Sequence, residues 1–139
     1  MRLWQVSLMF VVLAGVLGVV LASDGSPVAG AVVAVVFLAA AFGYSPLIYP
    51  RHTPAAEAQA SGLPIVYWRP GCPFCLRLRL SLLGRARHAK WVNIWRDPEG
   101  AAAVRAIADG NETVPTVVAG LAARVNPAPA WARTQLRAK

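Results

Sequence analysis

Two uninterrupted apolar runs near the N-terminus constrain this chain more than any other feature. Residues 3–22 carry no formal charge over 20 positions, and Gln5 and Ser7 are their only polar members. Residues 28–49 form a second uncharged run of 22, with Ser45 as its main polar member. At ~1.5 Å per residue, a helix of either length crosses a hydrocarbon core of about 30 Å. A soluble core helix rarely presents apolar side chains on every face over such a length. The turn Ser23-Asp24-Gly25-Ser26-Pro27 is short and polar. Residues 1–49 therefore read as a transmembrane helical hairpin with spans at about 3–22 and 28–49. Gly15, Gly18, Gly30 and Ala34 would let the two backbones approach closely. Pro46 is expected to kink or end the second helix.

Arg2 precedes the first span, Arg51 and His52 follow the second, and the turn holds only Asp24. The positive-inside rule then puts both termini in the cytoplasm. A competing reading makes Met1–Ala22 a cleaved signal peptide, with Val20-Leu21-Ala22 at the cleavage site. It leaves the run from Val28 as a stop-transfer span, and the C-terminal domain still faces the cytoplasm.

Composition matters next because it splits sharply. The whole net charge of +8 lies in residues 50–139, with 13 Lys/Arg against 5 Asp/Glu. The chain is 57% hydrophobic, which excludes intrinsic disorder for most of it. Two cysteines exclude a disulfide-rich scaffold, which needs about 8–10% Cys. The positive charge permits nucleic-acid binding, but no basic-aromatic groove or motif supports it. Residues 50–62, rich in Ala, Pro and small polar residues, read as a flexible or partly helical linker. Residues 63–139 are left as a small soluble domain.

That domain alternates strand and helix signals. Leu63–Trp68 is a short apolar run of strand formers. Pro70-Gly71 turns the chain into Cys72-Pro73-Phe74-Cys75. Leu76–Ala89 reads as a helix with Cys75, Leu78, Leu82, Leu83 and Ala86 on one face, where Arg79 sits awkwardly. Trp91–Trp95 is a second strand, its two tryptophans expected in the core. Asp97-Pro98-Glu99 is a helix start for Glu99–Asp109. Val117–Ala119 and Leu121–Val125 read as a hairpin, and Asn126-Pro127 opens a last helix over Ala128–Ala138. The order β-α-β-α-β-β-α, with a right-handed βαβ crossover, is that of the thioredoxin fold.

Cys72 and Cys75 carry the chemistry. At a helix N-terminus, unpaired N–H groups and the positive dipole end favour thiolate over thiol. Cys72 is therefore the expected nucleophile, and Cys75, a turn inside, is placed to resolve a mixed disulfide. The spacing has other uses. A zinc site needs more ligands, and this chain has no second Cys pair and only His52 and His88. Inert packing makes Pro-Phe between the cysteines an odd choice. A structural disulfide is disfavoured on the cytoplasmic side.

Tyr67-Trp68-Arg69-Pro70-Gly71-Cys72-Pro73-Phe74-Cys75 resembles the active-site stretch of glutaredoxins. Leu76-Arg77-Leu78-Arg79, Thr113-Val114-Pro115-Thr116 and Asn126-Pro127 resemble the mycoredoxin branch of that family. The resemblance covers about residues 63–137. It implies that Cys72 takes up a low-molecular-weight thiol, that Cys75 resolves, and that Pro115 is a cis-proline facing them. Pro73 and Phe74 would support the site, Phe74 as an apolar lip. Arg69, Thr113 and Val114 would contact the thiol ligand, Val114 through its backbone and Arg69 through a ligand carboxylate; a solvated Arg69 is the alternative. Glutathione-type members carry Gly-Gly and a polar or acidic residue where this chain has Asn126-Pro127, so mycothiol is favoured over glutathione. Thioredoxins proper carry Trp-Cys-Gly-Pro-Cys, which this chain lacks.

The expected protein is thus a membrane-anchored thiol–disulfide oxidoreductase, with no bound cofactor and no metal. It reduces protein mixed disulfides with a low-molecular-weight thiol. Two alternatives stay open: a dithiol reductase for one membrane partner, and a non-enzymatic redox-responsive interaction domain. Arg77, Arg85, Arg87 and Lys90 would form a basic helix face that rests on anionic lipid, raises the potential near Cys72, or is merely solvated.

Overall fold

The computed structural model describes residues 3–45 and 48–136. It divides into two compact units, residues 1–50 and 51–139, and each is described by itself.

In the first unit, α1 (Leu3–Ser23) and α2 (Pro27–Gly43) run side by side in opposite directions. Gly18 lies against Gly30 and Ala34, while the Ser7 hydroxyl donates to the Ala41 carbonyl at 3.1 Å. A Cβ on Gly30 would stand 2.6 Å from the Gly18 carbonyl oxygen, so the backbones meet at a distance only glycine allows. Gly15, expected at this seam, faces open space. Phe10 packs on Phe37 and Tyr44, with ring centroids 6.0 and 5.7 Å away.

Among the described residues, α1 is the one helix long and apolar enough to cross a membrane. The second helix is shorter than the sequence pattern suggested. It stops at Gly43 rather than Tyr49, and its 17 residues rise only about 26 Å. A residue before proline is pushed out of the helical region, which disfavours continuation through Ser45. Pro46 itself, and Arg2 of the orientation argument, lie outside the described residues.

In the second unit, a four-stranded sheet has the order β2-β1-β3-β4, with β1 (Ile65–Trp68), β2 (Lys90–Asn93), β3 (Thr116–Ala119) and β4 (Ala122–Val125). β1 runs parallel to β2 and antiparallel to β3, and β3 and β4 form a hairpin. The helices are α3 (Ala55–Ala60), α4 (Pro73–Leu82), α5 (Pro98–Ile107) and α6 (Pro129–Gln135). From β1 onward the order is the expected β-α-β-α-β-β-α. The central strand β1 is buried along its whole length, which takes a layer on each side of the sheet. α4 packs with α6, and α3 with α5. Val66, Val92, Val104, Val117, Leu78, Leu82 and Leu136 fill the core.

Four local expectations change. The helix expected over Leu76–Ala89 ends at Leu82, where Leu83 takes φ +46°, and Leu83–His88 continue as a 3-10 helix. Gly84 weakens α-helix propagation there by about 1 kcal/mol relative to Ala. The Trp91 indole N–H fixes the new path by donating to the Ala86 carbonyl at 2.8 Å. Consequently Arg77, Arg85, Arg87 and Lys90 lie on three elements rather than one helix face. Arg79 no longer conflicts with its neighbours, because its guanidinium stacks over the Trp91 ring at 5.5 Å. Burial there lowers its pKa. Trp95, expected in the core, is 63% exposed. β2 ends at Asn93, whose side-chain oxygen accepts the Trp95 N–H at 3.0 Å and closes a turn that throws the indole outward.

The segment read as a linker belongs with the second unit. Thr53 N–H donates to the Trp91 carbonyl at 2.8 Å, and Ala55 and Ala58 of α3 are buried. Asp97 makes the tie. One carboxylate oxygen caps α5 by accepting the Gly100 N–H at 2.8 Å, and the other accepts the Ala55 N–H at 2.7 Å. Burial pushes the Asp97 carboxyl up. The Gly100 and Ala55 N–H groups and nearby His52 outweigh it and hold the pKa below the ordinary carboxylate value. Gly100 is required beside it, since a Cβ there would stand 2.6 Å from the Val92 side chain.

A depressed folded-state pKa gives stability above the unfolded value, about 3.9 for Asp, and loses it as pH falls through the folded value. Asp97→Ala is expected to cost about 2–3 kcal/mol at pH 7, the sum of a lost cap and an orphaned N–H. Urea unfolding of wild type and Asp97→Asn from pH 6 to pH 2.5 should show a gap that closes toward the acid end. Gly30→Val is expected to separate α1 from α2, read as altered hairpin compactness by cross-linking between cysteines placed at residues 7 and 41.

Candidate active site

The C-terminal ends of the parallel strands β1 and β2 lie at the same edge of the sheet, and the chain leaving β1 turns there into α4. Pro70 and Gly71, the latter at φ +77°, make the turn. Pro73 then occupies the first turn of α4, where its missing N–H costs nothing. Cys72 is the N-cap residue, extended at φ −85° and ψ 109°. Its sulfur accepts the Cys75 backbone N–H at 3.1 Å, in the place where a cap usually offers an oxygen. The positive end of α4 therefore converges on Cys72 Sγ.

The segment from Thr113 to Thr116 faces this sulfur. Cys72 Sγ donates to the Val114 carbonyl at 3.6 Å. The Val114–Pro115 peptide bond is cis, as the resemblance implied. Pro115 is fully buried, and its carbonyl accepts the Asn126 N–H at 2.7 Å. Asn126 holds φ +43°, a left-handed conformation that asparagine tolerates better than most residues. The Thr116 hydroxyl donates to the Thr113 carbonyl at 2.7 Å, closing the turn before β3. The Thr113 side chain is exposed.

The two thiols differ. Both are free and mostly enclosed, Cys72 at 6% and Cys75 at 2% exposure. Burial raises the Cys75 pKa far above the ordinary thiol value. Its hydrogen bond with Cys72 adds to this, and the Arg69 backbone N–H and guanidinium only partly offset it. Cys75 is thus a protonated thiol at neutral pH, behind Cys72. Phe74 is 54% exposed beside them.

Arg69 is exposed, and its guanidinium lies over the Trp95 ring, 5.9 Å from the centroid. The structure therefore brings Arg69, Cys72, Pro73, Phe74, Cys75, Val114 and Pro115 to one edge of the sheet. Sequence reasoning missed Trp95 and Asn93 at that edge. An Asn ending an apolar strand two residues before a Trp was the available signal, since Asn side chains close such turns. Among the described residues, no group of three or more His, Cys, Asp or Glu could hold a metal ion.

Residues 65–121 match the family model described as Glutaredoxin. The matched stretch runs from β1 through the β3–β4 turn and includes both cysteines, Val114 and Pro115. No curated protein and no solved structure matches the chain. The family match and the mixed α/β sheet support a domain of the glutaredoxin/thioredoxin superfamily with thiol–disulfide oxidoreductase activity. Glutaredoxins act on protein disulfides with a low-molecular-weight thiol and need no prosthetic group.

The asymmetry between the thiols has a direct readout. In full-length Cys72→Ser, Cys75 should resist iodoacetamide at pH 7 until the protein is unfolded. In Cys75→Ser, Cys72 should be alkylated in the native state. Peptide mass mapping checks both; equal labelling of the two native variants contradicts the arrangement.

Proposed function

We propose that this chain is a membrane-anchored glutaredoxin of mycoredoxin type, which reduces protein mixed disulfides through Cys72. The observation that carries this reading is the Cys72 sulfur at the cap of α4, accepting the Cys75 N–H and facing the Val114 carbonyl. An N–H donor and a helix N-terminus both point at the atom that would attack the disulfide.

The thiolate attacks the low-molecular-weight sulfur of a protein mixed disulfide. A bond forms between Cys72 Sγ and that sulfur, the original S–S bond breaks, and the protein thiolate leaves and takes up a proton. A second thiol molecule then attacks the adduct, releases the disulfide of the small thiol, and restores Cys72. Over the two exchanges the protein sulfur is reduced to the thiol and the incoming small thiol is oxidised into the released disulfide, while the small-thiol sulfur carried in by the substrate stays disulfide-bonded throughout. Cys75 is dispensable in this route, which suits a buried thiol whose raised pKa keeps it protonated. Val114 would pair its backbone with the bound thiol in strand fashion. Arg69 would meet a carboxylate or other polar group of it, and Thr113 would border the same groove.

Mycothiol is the favoured thiol, on the likeness of Thr113-Val114-Pro115-Thr116 and Asn126-Pro127 to mycoredoxins. Asn126 stands where glutathione-type members carry Gly-Gly, and its N–H is committed to Pro115. The membrane reading rests on α1, with α2 as a second span at the lower end of the usual length range. The positive charge after α2 favours a cytoplasmic catalytic domain.

A dithiol reductase for one membrane partner is the second reading, favoured by the proximity of the two sulfurs. Purified full-length protein in detergent separates them. De-mycothiolation and deglutathionylation of a peptide are measured for wild type, Cys72→Ser and Cys75→Ser. The monothiol reading expects loss of at least about a thousandfold in Cys72→Ser, as for removal of a covalent nucleophile, and retention in Cys75→Ser. It also expects the mycothiol substrate to be preferred. Loss in both variants would establish the dithiol route, and no turnover in wild type would leave a non-enzymatic sensor.

A further inference from the structure

The chain enters the second unit at the edge that holds the thiols. Its first residues run alongside β2: Thr53 N–H bonds the Trp91 carbonyl, and the His52 imidazole accepts the Asn93 N–H at 3.2 Å. Asn93 is the last residue of β2, beside Trp68 at the end of β1. A continuous set of contacts follows. Asn93 holds Trp95 through its side chain, Arg69 covers the Trp95 ring, and the Arg69 backbone N–H reaches Cys75.

The same edge carries an exposed indole and exposed cations. Trp95 is 63% exposed at the tip of a turn, Arg69 lies over its ring, and Arg96, next in the chain, and Arg51 are exposed. Arg51 precedes His52, Arg96 precedes Asp97, and His52 lies within electrostatic range of the Asp97 carboxylate, so both arginines stand at this edge. Residues 58–96 contain seven Lys/Arg and no acidic residue. The Asp97 carboxylate is turned inward onto the Ala55 and Gly100 N–H groups; Glu99, in the first turn of α5, is the nearest remaining acid in sequence. An amphipathic indole flanked by arginines is the composition that settles at a membrane interface. Clustered cations beside a membrane anchor are drawn to anionic headgroups.

We propose that Trp95, Arg96 and Arg51 seat the catalytic edge of this domain on anionic phospholipid headgroups, so that Cys72 meets disulfides held at the bilayer surface. The inference rests on the reading of α1 as a membrane span. It makes the tether a determinant of substrate choice, because the thiol and the attachment point share one edge. Trp95 serves here as a positioning residue for the docked state and takes no part in sulfur transfer.

The test uses the full chain in lipid nanodiscs of neutral phosphatidylcholine or with added phosphatidylglycerol. Tryptophan fluorescence is quenched by a spin label placed near the headgroup, in wild type and in Trp95→Phe. Quenching that rises with the anionic lipid, falls at high salt, and is reduced in Trp95→Phe and in Arg51→Gln/Arg96→Gln supports the proposal. Turnover is then compared on a soluble mixed disulfide and on one carried by a thiol-bearing phospholipid. Arg51→Gln/Arg96→Gln should lower turnover on the lipid-borne substrate by about thirtyfold and leave the soluble one unchanged. Quenching indifferent to lipid charge, or unchanged in Trp95→Phe, overturns the proposal. Failure of the chain to float with vesicles after alkaline extraction would instead remove the membrane reading itself.

Discussion

The hydrogen bond from the Cys75 N–H to Cys72 Sγ fixes both where α4 begins and where the reactive atom sits. Helix caps are ordinarily Ser, Thr, Asp or Asn oxygens that satisfy one of the first free N–H groups. A sulfur in that role makes the helix start and the chemistry one feature. Pro73 sets the entry angle, and Leu78 and Leu82 on the buried face of α4 anchor the helix in the core. The sulfur's position is therefore secured by packing well behind it. Val114 and Pro115 meet it from β3, and Asn126 in turn staples the end of β4 to the Pro115 carbonyl.

The difference between the two thiols follows from this placement. Cys72 caps α4, and Cys75 is one turn inward, where burial keeps it protonated. A sulfur at the helix cap with a protonated neighbour behind it suits exchange with a small thiol from solution. The Asp97 carboxylate stabilises the opposite side of the same sheet edge. It caps α5 and pins the start of α3 within the same unit.

Much of this was legible in the sequence. The strands, the helix starts at Pro73 and Asp97-Pro98, the hairpin at Gly120 and the cysteine pair are local signals: turn residues, caps and short β-branched runs. What was not legible depends on tertiary contacts. Periodicity extended the helix through Leu83–Ala89, but Trp91 recruits the Ala86 carbonyl and Gly84 weakens the α-helical path. Trp95 looked like a core residue because it alternates with Trp91; one Asn93 side chain turns it outward. The segment 50–62 has a linker's composition, and only the distant Asp97 reveals that it is packed. The apolar run to Tyr49 overstated α2, because hydrophobicity marks where a helix is soluble in lipid, not where its backbone ends.

The most direct measurement is the site of covalent attachment. Full-length Cys75→Ser is mixed with a peptide carrying a mycothiol disulfide, quenched in acid, and mapped by intact and peptide mass. The account expects a single mycothiol adduct on Cys72 with stoichiometric release of the peptide thiol. No adduct on Cys72 of the Cys75→Ser protein, with an adduct on Cys75 of Cys72→Ser treated in the same way, would contradict it.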